Sequence, residues 1–401
     1  MRKKSKVTVE SILGGWSQTQ YQAKKDTYQS SIAIDPDFPV NGTRTSGMIC
    51  PVVYDKFSGN NISSYPKWFV TNTKNEIVYA YMADGKFVSY DSSLGSETLI
   101  GTPSSGDGNG AAYYNNYIYL ATPTDVSRYG PLNNTPSLTD NVWTGSTLGS
   151  QTALTNTTYP SLRNTPIPNH AMHVHVDNNL YMCDFINGQG MVHRINTKKG
   201  TYEGDTNDDS GYSAIPNKLP FGYYPVDIES YGTDLVVLAI QATSSVVNQG
   251  KAALFFWDTT STSFYRKLPI PDPIATSVRN SNGILYIFSG NAVNGVRVSY
   301  YNGGDSIKDS IYLEEGTPPF AGAVDELGNR IVFGGWSSSP ACACVYAYGS
   351  KKADLPETLH NVARPTAPHY GGNNHTVTAL KYVQQSSNIK PQLIIGWGDT
   401  L

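Results

Sequence analysis

His170, His173, His175 and His193 are four of only seven histidines in the chain, and they are the first residues whose type and spacing could do chemistry. His173 and His175 stand two apart, so on a strand they share one face and could hold one metal ion. No Asp or Glu stands beside them at ligand spacing. The competing reading is that two alternating histidines fill a half-buried sheet face with their polar tips satisfied, and that reading assigns no metal here. The run Gly204-Asp205-Thr206-Asn207-Asp208-Asp209-Ser210-Gly211 places oxygen ligands at alternating positions, as a calcium loop needs. Its sixth position is Ser210 rather than Gly and its twelfth is Pro216 rather than Glu, which excludes an EF-hand. A looser calcium loop and a solvated acidic turn both remain open, with the turn as the default.

Catalytic signatures are missing. The chain has no Gly-x-Ser-x-Gly elbow, no His-Glu-x-x-His and no Gly-rich phosphate loop with Lys. Ser105 to Gly110 is Gly-rich but precedes a strand, and reads as a flexible turn. The Ser-x-Asp-x-Gly-x-x-Trp turns of sialidases are also absent. No catalytic or cofactor-binding residue is therefore assigned, and the expectation is a protein that is not an enzyme. Cys50, Cys183, Cys342 and Cys344 are too few and too unevenly placed for a disulfide framework. Cys342 and Cys344 would point to one face of a strand, a poor geometry for bonding each other. All four read as buried thiols of a chain made in a reducing cytosol.

The elements that must position these residues are short strands. Charged residues are only 15% of the 401, while Tyr (28), Gly (37) and Pro (24) are abundant, a composition for strands and turns rather than helices. Gly328 to Tyr348 is the clearest unit: a Gly-Asn turn, the apolar run Ile331 to Phe333, a Gly pair, a Ser/Pro loop, then Cys342, Cys344 and Tyr346 at period two. Comparable units open near Trp68, Ala111, His173, Val226 and Ser277, and a last one near Val377 has only about two strands before Leu401. Asp84-Gly85 and Asn282-Gly283 are hairpin turns between apolar runs. Units recurring every 40 to 60 residues, each too small to bury its own faces, predict an all-β propeller of seven blades over residues 64–401. Residues 1–63 are expected to form a tail that supplies strands closing the ring, and about 130–168 to be a surface insertion.

The stretch Ile331-Val332-Phe333-Gly334-Gly335, with the aromatic strand after it, resembles a kelch repeat. Ile284 to Gly290 with Val298-Ser299-Tyr300 is a looser copy, and Leu254 to Asp258 followed by Phe264-Tyr265 echoes the later strands of that family. The resemblance implies the propeller fold and little about activity. The Gly pair is complete only at Gly334-Gly335 among the blades.

A net charge of −3 argues against nucleic acid as the main partner, and no run is long enough to cross a membrane. Met1 to Lys6 is basic without an apolar segment after it, so a secretory signal is not visible. Tyr113, Tyr114, Tyr117, Tyr119, Tyr129, Tyr223 and Tyr224 exceed what blade packing requires; they suit sugar stacking or protein contact, or equally an ordinary sheet surface. In composition, and in the style of Ser31 to Phe57, the chain resembles virion proteins of tailed bacteriophages. That resemblance implies a structural or adsorption component of a virion, made in the host cytoplasm, with other structural proteins or surface glycans as partners. The alternative is a cell-surface lectin or glycoside hydrolase built on a propeller.

Overall fold

A computed structural model describes residues 64–399 apart from 73–76, 91–96, 104–107, 124, 145–169, 187–188, 197–200, 203–216, 242–250, 292–294, 314–317, 339–340, 350–356, 364–374 and 384–391; before them it describes only six two-residue strands between Gly15 and Met48. The described chain is almost wholly β. Consecutive antiparallel strands build six sheets of four or five strands, followed by a two-stranded hairpin.

Blade 1 runs Pro66–Thr71, Val78–Met82, Phe87–Tyr90, Glu97–Gly101. Blade 2 runs Gly110–Tyr114, Tyr117–Ala121, Asp125–Gly130, Ser137–Thr144. Blade 3 has Met172–Val174, Leu180–Ile186 and Gln189–Asn196, with its outer edge divided between Thr201–Tyr202 and Asn217–Phe221. Blade 4 runs Tyr223–Tyr231, Asp234–Gln241, Ala252–Trp257, Arg266–Ile270. Blade 5 runs Ile274–Ser281, Ile284–Asn291, Gly295–Tyr301, Lys308–Leu313. Blade 6 runs Val324–Leu327, Arg330–Ser338, Ala341–Gly349, Thr358–Ala363, and the hairpin is His375–Val383 with Gln392–Asp399.

The expected seven blades are thus six. Among the described residues the last unit shows two strands, a hairpin. The hairpin nevertheless takes a place in the circle. Its strands pack with blade 6 through Val332, Val345, Ala347, Val377 and Leu380, and with blade 1 through Val78, Ala80, Val88, Val383 and Ile394. The first strands of successive units touch one another in turn, from blade 1 round to the hairpin and back to blade 1. The short N-terminal strands bond in pairs among themselves: Gly15–Trp16 with Thr27–Tyr28, Ile34–Asp35 with Gly47–Met48, and Pro39–Val40 with Thr43–Arg44.

Alternation explains why each unit needs two neighbours. In the second strand of blade 4, Val236, Leu238 and Ile240 face blade 5 while Leu235, Val237 and Ala239 face blade 3. All six are fully buried, so a continuous apolar run serves two cores at once. The hairpin turns use the left-handed residues the sequence offers: Asn115 and Asn116 at φ 47° and 66°, Asn282 and Gly283 at 51° and 77°.

One regularity was not visible in the sequence. The first strands of blades 1, 4 and 5 and of the hairpin each carry a β-bulge, between Pro66 and Trp68, Pro225 and Asp227, Ala275 and Ser277, and Val377 and Ala379. A bulge sharpens the local twist, which suits strands crowded round an axis. Of the span 130–168 read as an insertion, Ser137–Thr144 is the outer strand of blade 2; residues 145–169 lie outside the described residues.

Candidate functional site

The first strand of a blade is apolar because both its neighbours are blades, so a charge inside it must find a partner there. Blades 3 to 6 and the hairpin each place an ionisable side chain on that strand. Glu229 of blade 4 lies between His173 of blade 3, whose Nε2 is 3.3 Å from Oε1, and Arg279 of blade 5, whose Nη1 donates to Oε2 at 3.3 Å. Arg279 also donates Nη2–H to the Ala321 carbonyl at 2.9 Å and Nε–H to the Val324 carbonyl at 3.3 Å, reaching blade 6. Asp325 of blade 6 accepts from Lys381 Nζ at 3.3 Å and from the Tyr382 amide at 2.6 Å, both on the hairpin. A chain of polar contacts therefore crosses five consecutive units, with the charges of Glu229, Arg279, Asp325 and Lys381 alternating in sign over the last four. Burial works against the Arg279 charge, but Asp227, Glu229 and Asp325 outweigh it and hold its pKa above the ordinary value.

His173 and His175 do share a face, as the spacing predicted, but they converge on a hydroxyl. His175 Nε2 faces the Thr233 carbonyl at 3.2 Å and must donate to it. Its Nδ1 then accepts from Ser230 Oγ at 2.8 Å, leaving that oxygen to accept from His173 Nε2 at 2.7 Å. Burial lowers the His173 pKa; Glu229 opposes the shift while Arg279 and His175 add to it. Among the described residues no group of three or more His, Cys, Asp or Glu could hold a metal ion. The Gly204-to-Gly211 loop lies outside the described residues.

His170 and His193 belong to a second cluster, fully inside. Asp184 Oδ1 is 3.2 Å from His170 Nε2 and Oδ2 is 3.1 Å from His193 Nε2. His170 Nδ1 meets the Thr122 carbonyl of blade 2 at 2.8 Å. Both ring nitrogens of His170 thus face oxygen atoms, one of blade 2 and one of blade 3. Burial pushes the Asp184 carboxyl up, but the hydrogen bonds and charges of His170 and His193 outweigh it and hold it far below the usual range. Next to it, the Cys183 thiol is raised well above its ordinary value by burial, with Asp227 and Asp184 adding to the shift. Cys183 and Cys344 are buried and not disulfide-bonded; Cys342 sits two residues from Cys344 on the strand Ala341–Gly349, and Cys50 lies outside the described residues.

Asp227 is the buried carboxylate with the opposite shift. It accepts from the Ile228 amide at 3.0 Å, the Val278 amide at 2.9 Å and Ser277 Oγ at 3.2 Å, tying blade 4 to blade 5. Burial raises its pKa to about 6 against the opposing pull of Arg279 and the two amides.

The tyrosines expected at the surface are mostly inside. Tyr114, Tyr119, Tyr223 and Tyr224 are buried, and Tyr113, Tyr117 and Tyr129 are half-buried against interblade cores. A propeller needs wedge-filling side chains between sheets, and Tyr does this while its hydroxyl reaches the rim; Tyr114 Oη donates to the Asn178 carbonyl at 2.6 Å. Among the described residues, the large apolar side chains that stand exposed are Leu99, Val176, Phe221 and Tyr265. Between blade 1, blade 6 and the hairpin lies a cavity of ≈ 20 Å³ lined by Lys67, Trp68, Gly108, Phe320, Ala321, Gly322 and Thr378, room for about one water.

Sequence reasoning missed Asp184, Asp227, Glu229, Arg279, Asp325 and Lys381. The signal was there: each is a charge inside a short apolar run of a repeat. Without the ring, nothing said that those runs meet.

No protein-family model and no curated protein matches the sequence. Among solved structures, one described as the structure of Dos1 propeller superposes with a TM-score of 0.50 at 13% identity, covering 85% of this chain and 92% of that one. The chain is an all-β propeller. At that identity the likeness concerns the fold alone, and the kelch likeness rests on the sequence of Ile331 to Gly335 and its looser echoes at Ile284 to Tyr300 and Leu254 to Tyr265. In the structure that Gly pair has a packing reason: a Cβ on Gly334 would lie 2.6 Å from Val377 Cβ of the hairpin, and one on Gly335 2.8 Å from the Tyr346 ring.

Proposed function

We propose that this propeller is a non-enzymatic interaction scaffold, a structural component of a virion, in the tail or adsorption apparatus, that works through protein or glycan contacts at its rim. The observation that carries the reading is the pairing along the axis. Glu229, Arg279, Asp325 and Lys381 are engaged with one another or with backbone across blade boundaries, so these charges hold the ring together. Recognition then falls to outer strands and connections, where Leu99, Val176, Phe221 and Tyr265 are exposed. The virion assignment is supported by the low charge and the Ser/Thr/Asn/Tyr-rich composition. It is tested by mass spectrometry of purified, intact particles from cells that make the protein. Stoichiometric recovery in the particle is expected; its absence there would end the virion assignment.

Glycan binding has one specific observation in its favour. On the rim of blades 4 and 5, the exposed Tyr265 donates its hydroxyl to Asp234 at 2.5 Å, while Arg266 lies over the Tyr301 ring at 5.5 Å and Tyr231 packs on Tyr301 with centroids 5.2 Å apart. Tyr301 is buried beneath Arg266, so Tyr265, exposed and held by a carboxylate beside that guanidinium, is the aromatic that suits a sugar ring and its hydroxyls. Glycan-array binding that is lost in Y265A supports a lectin-like role; an array that stays blank removes it.

A further inference from the structure

An asparagine followed by glycine is chemically labile, because no side chain shields the glycine nitrogen from the asparagine amide. Three such pairs lie wholly within the described residues, at Asn109-Gly110, Asn282-Gly283 and Asn302-Gly303, and the fold treats them differently. Asn109 is buried, and Gly110 opens the first strand of blade 2 so tightly that a Cβ there would lie 2.0 Å from the His170 carbonyl. Asn282 is exposed, but both groups that would react are tied down. The Gly283 N–H donates to Asn280 Oδ1 at 3.1 Å, and Asn282 Nδ2 donates to Asn329 Oδ1 of blade 6 at 3.1 Å. Asn302, in the turn between the third and fourth strands of blade 5, is exposed together with Gly303, Gly304 and Asp305. Among the described residues no hydrogen bond holds its side-chain amide or the Gly303 N–H. Its Oδ1 is the one atom that a Cβ on Gly304 would meet beyond its chain neighbours, at 4.0 Å, so the side chain lies back along the backbone that follows it with open space around.

We propose that Asn302 is a site of spontaneous covalent modification, deamidation through a cyclic imide, and that the turn of blade 5 selects it over Asn282 and Asn109. Solvent hydroxide takes the Gly303 amide proton, and the nitrogen attacks the Asn302 side-chain carbonyl carbon. The new C–N bond closes a five-membered imide while the bond to Nδ2 breaks, and that nitrogen takes up a proton and leaves as ammonia. Water then opens the ring at either carbonyl, giving an aspartyl or an isoaspartyl residue at position 302; no electrons are exchanged. Either product adds a carboxylate to a turn whose Gly304 carbonyl accepts from Arg266 Nη2 at 2.7 Å, and whose Asp305 lies 3.6 Å from the same nitrogen. The isoaspartyl product also lengthens the turn's backbone by one methylene. The modification therefore acts on the loop that holds Arg266 at the rim, whatever the ring binds.

Peptide mapping by mass spectrometry tests this on the full-length protein, held folded at mildly alkaline pH and sampled over time. The amide-to-acid mass gain, split into its aspartyl and isoaspartyl forms by chromatography, should accumulate at Asn302 about tenfold or more faster than at Asn282, whose two hydrogen bonds must break first. Asn109 should keep its amide throughout. The same incubation in urea, where no turn remains, should bring the three rates together. In N280A, which removes the acceptor of the Gly283 N–H, Asn282 should react several-fold faster while Asn302 keeps its rate. An Asn302 that reacts no faster than Asn282 in the folded protein overturns the assignment. A preference for Asn302 that persists in urea overturns it as well, since the order would then come from neighbouring residues and not from the fold. An Asn282 rate that N280A leaves unchanged rejects hydrogen bonding as the cause of the selection.

Discussion

At the scale of single residues, two buried carboxylates should pull the pH dependence of stability in opposite directions. Asp184, held below its unfolded value by His170 and His193, contributes stability that is present above about pH 4 and is lost as the pH falls through its lowered folded value. D184N should cost about 1–3 kcal/mol at neutral pH, because an amide nitrogen replaces one of the two carboxylate oxygens that face buried histidine nitrogens, and urea titrations across pH 3–7 should show a flatter acid limb than the parent. Asp227, raised to about 6 by burial, behaves the other way. Its protonated form contributes stability that is full below about pH 4 and is lost as the pH rises through 6, by roughly 3 kcal/mol for a shift of about two units. The stability difference between the parent and D227N should therefore move against the parent from pH 4 to 7. A pH-independent difference would show that the carboxyl keeps its unfolded pKa in the ring.

At the scale of elements, the close approaches between units are made by glycine. A Cβ on Gly322, in the turn that opens blade 6, would lie 2.1 Å from the Lys67 carbonyl of blade 1, and backbone cannot step aside as a flexible side chain can. G322A should destabilise by about 1–3 kcal/mol. G304A, whose nearest neighbour in the exposed turn of blade 5 is 4.0 Å away, should stay within about 0.5 kcal/mol of the parent in thermal or urea unfolding. Equal effects would place the strain elsewhere. Much of this level was legible beforehand. Val226 to Tyr231, Leu235 to Ile240 and Ala252 to Trp257 are strands because apolar and β-branched residues run between Gly, Asn and Asp turns. The bulges were not legible, since Pro66-Lys67-Trp68 and Ala275-Thr276-Ser277 share no residue type; crowding at the axis makes them, and crowding is a property of the ring. The tyrosines misled for a related reason. Tyr119 and Tyr224 alternate like surface residues, yet a sheet with neighbours on both faces has no surface side.

At the scale of the molecule, periodicity announced a circle of stacked sheets but miscounted it. The last unit, Val377 to Trp397, is a hairpin wedged between blade 6 and blade 1 rather than a blade. The candidate site was the least legible part, because its members stand far apart in sequence: fifty residues separate Glu229 from Arg279, and 56 separate Asp325 from Lys381. On this account the axis is a clasp and the rim does the recognition. The clasp is measured most directly by a double-mutant cycle on Glu229 and Arg279, with E229Q, R279Q and the pair compared in urea unfolding. A coupling of about 0.5–3 kcal/mol is expected, since each partner removed leaves the other charge buried between blades. Single effects that add to within about 0.3 kcal/mol would mean that the two charges hold nothing together, and would return the axis to the candidates for a binding site.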